Sequence, residues 1–343
     1  MKINKNLQVA ATYIGAVMGA GFASGQEIVQ FFIGYHLRGL WGIAMAGLLF
    51  GILGFLALKL IRDYRIESYQ ALFRILLGPS LGRALEFVVT LFLFAGLVIM
   101  LAGSGAIFDE YFNLSPTFGI ILTSFAVILA LSSKGEGVIW INTVLIPLKF
   151  VICISVSIAV LFLGNNLDYS ITLAPTIHRP WFISAILYVS FNLTFALVVL
   201  ASLGKELSGN IKGGVLGGIG LGIFALAIGS SLLRYYPAVT EYQVPMVFVA
   251  SQISKGMGIL YLMVLWFAMI TAAVGNAFSF VKRTTELLPV SYPLACVVAL
   301  AGAIPLAHFK FSALIAVIYP LFGYIGLLLI IPLLYLMLKN LRT

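Results

Sequence analysis

The chain has 343 residues, 62% hydrophobic and 9% charged, with a mean hydropathy of +1.12 and a formal net charge of +9. That composition excludes a soluble catalytic domain and also a transmembrane barrel, whose strands alternate polar and apolar positions; it implies an integral membrane protein made of helices. The positive charge is spread between the apolar runs, so it reads as an orientation signal and not as a nucleic-acid surface.

A spanning helix needs about 18 to 25 apolar residues. Ten apolar runs are read as spans, at 7–33, 39–61, 85–107, 117–131, 138–163, 181–203, 213–233, 259–281, 294–306 and 313–338, of which the fourth and ninth are short and the last is long. The first follows Lys2 and Lys5 and has the look of a secretory signal, but it continues past any small-residue cleavage site into Glu27 and Phe31, so it is predicted to be a retained span. Within it, 13–32 reads YIGAVMGAGFASGQEIVQFF, with Gly15, Gly19, Gly21 and Gly25 followed by Gln26 and Glu27. A bilayer gives backbone groups no water, so a broken helix survives only where protein or an aqueous cavity surrounds it. Close helix packing is the alternative use of such glycines. The acid beside them favours a binding site, because ionisable groups inside a membrane are costly to keep.

Residues 62–83 are amphipathic and basic and are predicted to lie along the inner interface. On the third run, Gly96, Gly103, Ser104 and Gly105 are candidates for lining a cavity. The fifth carries Lys149 far from either interface. A polar connection at 164–180 separates five runs from five more, and an odd number of spans inverts the second half, so a 5+5 inverted repeat is expected: repeat one about 6–164, repeat two about 181–339, in one transmembrane domain. The sixth run, counterpart of the first, has Ser190, Asn192 and Thr194 at its middle but no Gly or Pro. GGVLGGIGLG at 213–222 follows no strand and reads as helix packing, not a phosphate loop. Residues 235–258, with Pro237 and Pro245, are predicted to hold an outer lid helix. On the eighth run Thr271, Gly275 and Ser279 share a face.

Under the positive-inside rule, 14 Lys and Arg fall on the side of the N-terminus and 5 on the other, which places both termini in the cytoplasm. Cys153, Cys296, His36, His178 and His308 are scattered singly, so no disulfide framework or metal cluster is expected. The membrane runs carry no paired carboxylates, His-Glu-x-x-His or Ser-His arrangement, and an enzyme is not expected.

A ten-span chain whose first helix reads GAVMGAG resembles the leucine-transporter-type fold of the amino acid–polyamine–organocation superfamily. GAVMGAGFASGQE in particular is similar to the bacterial YkvI membrane-protein family. The resemblance implies an all-α membrane protein of ten transmembrane helices with discontinuous helices one and six, in a bacterial plasma membrane. It further implies a secondary transporter working by alternating access on a small organic solute, most simply an amino acid or related zwitterion. The fold itself serves many substrates. The expected surroundings are the lipid bilayer and a monomeric or weakly dimeric state, without nucleic acid.

Carried onto this chain, the resemblance puts the substrate site at Met18, Gly19, Ala20, Gly21, Phe22 and Ala23, whose N–H groups open an outer half-helix toward a carboxylate. Ser190, Phe191, Asn192, Thr194 and Phe195 are its counterparts on helix six. The sodium position of the fold corresponds to Gly15, Met18, Ala268 and Thr271, but Ala272 stands where a second hydroxyl is expected. Lys149 matches a lysine that occupies the sodium space in some members, so no cofactor is expected, proton coupling is favoured and sodium is the alternative. Glu27, six residues beyond Gly21, is expected about 9 Å outward along the half-helix, as an outer gate or proton site. The alternatives are an amino-acid sensor subunit of germinant-receptor type and a sodium symporter. A divalent-metal site is disfavoured because helix one lacks an acid at its break and helix six lacks Met or His.

Overall fold

The computed structural model describes residues 4–132, 136–163, 179–202 and 210–340. Lys2, Lys134, His178, Lys205, Arg342 and most of the 164–180 connection lie outside the described residues. Thirteen α-helices and no strand occur among the described residues. They are α1 (Lys5–Val17), α2 (Ala20–Ser24), α3 (Gln26–Phe31), α4 (Leu37–Asp63), α5 (Tyr69–Phe112), α6 (Pro116–Ser132), α7 (Glu136–Leu163), α8 (Trp181–Ser202), α9 (Lys212–Arg234), α10 (Pro245–Ile253), α11 (Lys255–Leu287), α12 (Tyr292–Leu306) and α13 (Phe311–Asn340). Six of them, α4, α5, α8, α9, α11 and α13, are long and apolar enough to cross a membrane, while α6, α12 and the Pro147–Phe162 part of α7 are shorter apolar helices. The protein is a multi-pass, all-helical membrane protein, since helices close every interior backbone hydrogen bond within the segment.

Helix starts follow capping chemistry. Asn4 caps α1 through Asn6 N–H, Ser68 caps α5 through Ala71 N–H, and Ser254 caps α11 through Met257 N–H. Pro245 opens α10 where its missing N–H costs nothing. The basic segment after α4 becomes the first turns of α5, set apart by a kink at Gly78 (φ 78°) just before Pro79. α10 is a short helix within the 235–258 segment where a lid helix is expected, with Met246, Val247, Val249 and Ala250 buried.

Two packed groups emerge. α1, α4, α8 and α9 pack on one another, as do α5, α6, α11 and α12. α13 joins the groups by packing on α8 and α5, and α7 by packing on α11 and α9. The seam between α4 and α9 is glycine on glycine: a Cβ on Gly222 would meet Gly47 Cα at 2.9 Å, and one on Gly214 would meet Gly54 C at 2.5 Å. The glycine run of α9 is thus a packing surface, as its sequence suggested. Gly96, Gly103 and Gly105 of α5 are packing positions too, closed off by Asn276, by Met269 and Phe311, and by Ile120.

The sixth run corrects an expectation. α8 is continuous over Trp181–Ser202, with no break at Ser190–Thr194. Its polar side chains close back on backbone carbonyls: Asn192 Nδ2 donates to Tyr188 O at 3.0 Å and Thr194 Oγ1 to Ser190 O at 2.9 Å. With no Gly or Pro to remove a bond or free the backbone, nothing forces this helix open.

Candidate functional site

The first span is broken twice. At the end of α1, Met18 leaves helical geometry (ψ 71°) and Gly19 is extended, after which α2 restarts at Ala20. A helix end in a membrane exposes carbonyls that need partners. Lys149 supplies one: its Nζ, reaching from α7, donates to Met18 O. An ammonium at the C-terminal end of a helix also opposes the negative end of that helix's dipole. Lys149 is 8% exposed, so this charge is held inside the protein and not at an interface.

The second break was not foreseen. Gly25 adopts φ 82°, a left-handed conformation that glycine alone reaches without strain, and it ends α2 after five residues. The chain turns there, and Glu27 does not project outward along a continued half-helix. Its carboxylate instead folds back on Gly21, where a Cβ would collide with Glu27 Oε1 and would lie 3.1 Å from Tyr319 Oη. The turn is held by Ser24, whose Oγ donates to Gly21 O at 2.7 Å and accepts from Gln26 N at 3.2 Å. Tyr261 Oη of α11 donates to Ala23 O at 2.6 Å and meets Cys153 Sγ at 2.9 Å. Met246 of α10 packs over Gly25.

Glu27 is 4% exposed and its Oε2 has no hydrogen-bond partner. Beside it stand aromatic rings, of which the sequence pointed to Phe191 and missed Phe31, Tyr188 and Tyr319 as site residues. Phe31 of α3 lies 5.3 Å from Tyr188 and 5.8 Å from Phe191, and Phe191 stacks on Tyr319 of α13 at 4.6 Å. Tyr188 and Tyr319 are both within electrostatic reach of Glu27, and Tyr188 Oη is buried without a partner. Tyr188, three residues before Phe191, shares its helical face, which is the one signal that pointed to it. Tyr319 gave none.

The remaining predicted residues separate into groups. Met18 and Ala20 to Ala23 are buried at the two breaks, while Gly15 and Gly19 front open space, with nothing within 4 Å of an added Cβ. Ser190 and Thr194 face α13: Ser190 Oγ donates to Gly323 O at 2.7 Å, and both hydroxyls abut Gly326. Phe191 joins the rings beside Glu27, and Phe195 lies below it against Phe92 at 4.3 Å. Ala268 lines a small cavity with Lys149, Ala23, Cys153 and Tyr261. Thr271 Oγ1 donates to Ala268 O at 3.1 Å.

At the position matched to a sodium site, the Met18 carbonyl accepts from an ammonium, Ala272 brings no oxygen, and the Thr271 hydroxyl donates within its own helix while keeping its oxygen lone pairs. Among the described residues no group of three or more His, Cys, Asp or Glu is placed to hold a metal ion.

Two larger cavities occur among the described residues. One, of about 350 Å³, is bounded by Gln26 and Gln30 of α3, Thr240, and Ser312 of α13. The other, of about 290 Å³, lies between α5, α8 and α11 and is bounded by Phe195, Ser279 and Arg283. At the mouth of the second, Arg283 pairs with buried Glu86 at 2.6 Å.

Over 325 residues the chain is 30% identical to the uncharacterized membrane protein YkvI of Bacillus subtilis (strain 168), a match spanning 93% of this chain and 92% of that protein. The chain belongs to the YkvI family. A second YkvI-like relative is the uncharacterized protein YyaD of the same organism, 25% identical over 333 residues, with 94% of each chain covered. No protein-family profile matches. Among solved structures, a mutant form of the manganese transporter of Eremococcus coleocola superposes on 96% of this chain and 78% of its own with a TM-score of 0.63 at 15% identity. The same transporter bound to an aromatic bis-isothiourea compound gives a TM-score of 0.53 at 12% identity. At such identities the likeness concerns the fold: this member of the YkvI family has the fold of a membrane transporter, not of an enzyme.

Proposed function

We propose that this YkvI-family protein is a secondary active transporter of a small organic solute, an amino acid or related zwitterion, working by alternating access. The observation that carries the proposal is the hydrogen bond from Lys149 to the Met18 carbonyl at the break of the first span. In this reading the ammonium takes the place of a coupling sodium, and the cycle is proton-driven or needs no ion. Release of the Lys149 proton turns a charge-assisted hydrogen bond to the Met18 carbonyl into a weaker neutral one and loosens α1 from α7, which couples protonation to movement of the first group of helices.

The ten apolar segments are read as a 5+5 inverted repeat with both termini in the cytoplasm of a bacterial plasma membrane, with the discontinuity in the first span only. α1 to α4, α8 and α9 then rock against α5, α6, α11 and α12 around the break, so that the outer cavity by Gln26 and the inner cavity by Phe195 open in turn. A chain of rings, Phe191 on Tyr319 and Phe92 on Phe195, separates them.

The test is uptake into proteoliposomes of the full chain with a panel of amino acids. Uptake driven by an inward proton gradient, indifferent to sodium and lost in Lys149→Ala, is expected. A strict sodium requirement overturns the lysine's role. Binding without flux under every gradient makes the protein a sensor instead, of the kind found in germinant receptors. Uptake of manganese alone would carry the activity named for the solved neighbour over to this chain.

A further inference from the structure

We infer that the corner formed by Glu27, Tyr188 and Tyr319 binds the ammonium group of the transported solute, so that the substrate class is amines and amino acids recognised by their positive end. The inference rests on the transporter reading and deepens it. The unpaired polar atoms at this corner are an acid oxygen and a phenol oxygen: Glu27 Oε2 and Tyr188 Oη, both buried and both without a partner. Tyr319 Oη stands on the same face of Gly21 as the Glu27 carboxylate. A buried carboxylate oxygen left without a partner is costly, and its complement is a donor bearing positive charge, toward which the phenol oxygens can turn their lone pairs.

The walls are suited to the same ligand. Phe31, Tyr188, Phe191 and Tyr319 form a contiguous set of rings with centroids 4.6 to 5.8 Å apart, and ring faces attract ammonium groups. An anionic group is excluded here, because Glu27 occupies the side of α2 that an outer half-helix would offer to a carboxylate. The cavity of about 350 Å³ is bounded by Gln26, the residue preceding Glu27, and by Ser312 of α13, the helix that carries Tyr319; Glu27, Tyr188 and Tyr319 do not line it.

The full chain in lipid nanodiscs is tested by thermal shift against matched triplets: leucine, 3-methylbutan-1-amine and 4-methylpentanoate; phenylalanine, 2-phenylethylamine and 3-phenylpropanoate; with choline and manganese chloride added. Stabilisation by the amine or the amino acid of a triplet, absent with its acid, is expected. Glu27→Gln should weaken apparent affinity for that ligand by more than about tenfold, as loss of one partner of a buried charge pair does. The elution profile and unliganded melting temperature establish that the variant folds; if it does not, Tyr188→Phe is used, and an amine affinity unchanged in it overturns the inference. Stabilisation by the acids, by manganese alone or by nothing in the panel overturns it, as does an amine shift that survives Glu27→Gln. Amine binding without flux leaves this inference standing while removing the transporter reading; uptake of a solute indifferent to Glu27→Gln does the reverse.

Discussion

The ammonium of Lys149 donates to the carbonyl of Met18, 131 residues earlier in the chain, and so ties α7 to the broken end of α1. Replacing Lys149 by Met removes a buried charge and its desolvation cost but leaves a buried carbonyl unpaired, a penalty of about 1–3 kcal/mol. The two effects oppose each other, so thermal unfolding should shift by less than about 2 kcal/mol while gradient-driven uptake is lost. Lys149→Arg should not restore uptake, because a planar guanidinium is always charged and cannot release a proton. A Lys149→Met protein that transports normally would remove the lysine from the mechanism.

Gly25 and Gly19 make opposite demands. Gly25→Ala places a side chain at φ 82° and within 2.7 Å of Met246 Cγ, so it should cost about 2–3 kcal/mol and disturb the position of Glu27. Gly19→Ala, at φ −72° with nothing within 4 Å, should cost under about 1 kcal/mol. Melting temperatures of the two variants, compared in the same lipid, decide this.

Glu86 and Arg283 join α5 to α11 at 2.6 Å, with side chains 5% and 20% exposed. Arg283→Ala leaves buried Glu86 with only Arg74 at 3.9 Å and should destabilise the protein by roughly 3 kcal/mol, whereas Glu86→Gln with Arg283→Gln should recover part of that loss. A double-mutant cycle on thermal unfolding gives the coupling. Coupling near zero would mean that the pair does not latch the two helices.

The α4–α9 seam provides a contrast within one interface. Gly214→Val drives atoms into the Gly54 backbone, 2.5 Å from the added Cβ, and should cost more than about 3 kcal/mol or prevent accumulation. Gly51→Ala meets Val215 O at an ordinary 3.7 Å and should be tolerated. Expression and melting temperature read both.

Much of the architecture was legible because a bilayer allows few solutions. Apolar runs must become helices, glycine runs without strands must be packing surfaces, and a proline pair after Arg234 must interrupt a span. The same reasoning failed at α8, where Ser190, Asn192 and Thr194 had two possible uses. Their hydroxyl and amide groups bond to carbonyls in their own helix or in α13, and neither choice leaves a mark on local sequence.

The sequence by itself determined an all-helical membrane protein, a glycine-rich interruption of its first span and a lysine held in the membrane, since each follows from composition and from the cost of burying polar groups. Only the tertiary structure decided what those groups meet. That Lys149 reaches Met18 depends on where α7 sits relative to the end of α1, and that Glu27 returns to Gly21 depends on one left-handed residue, Gly25, which breaks a helix drawn straight from the sequence. Tyr188 and Tyr319 come together from helices more than a hundred residues apart, a proximity set by side-chain packing across the bundle and by nothing local to either.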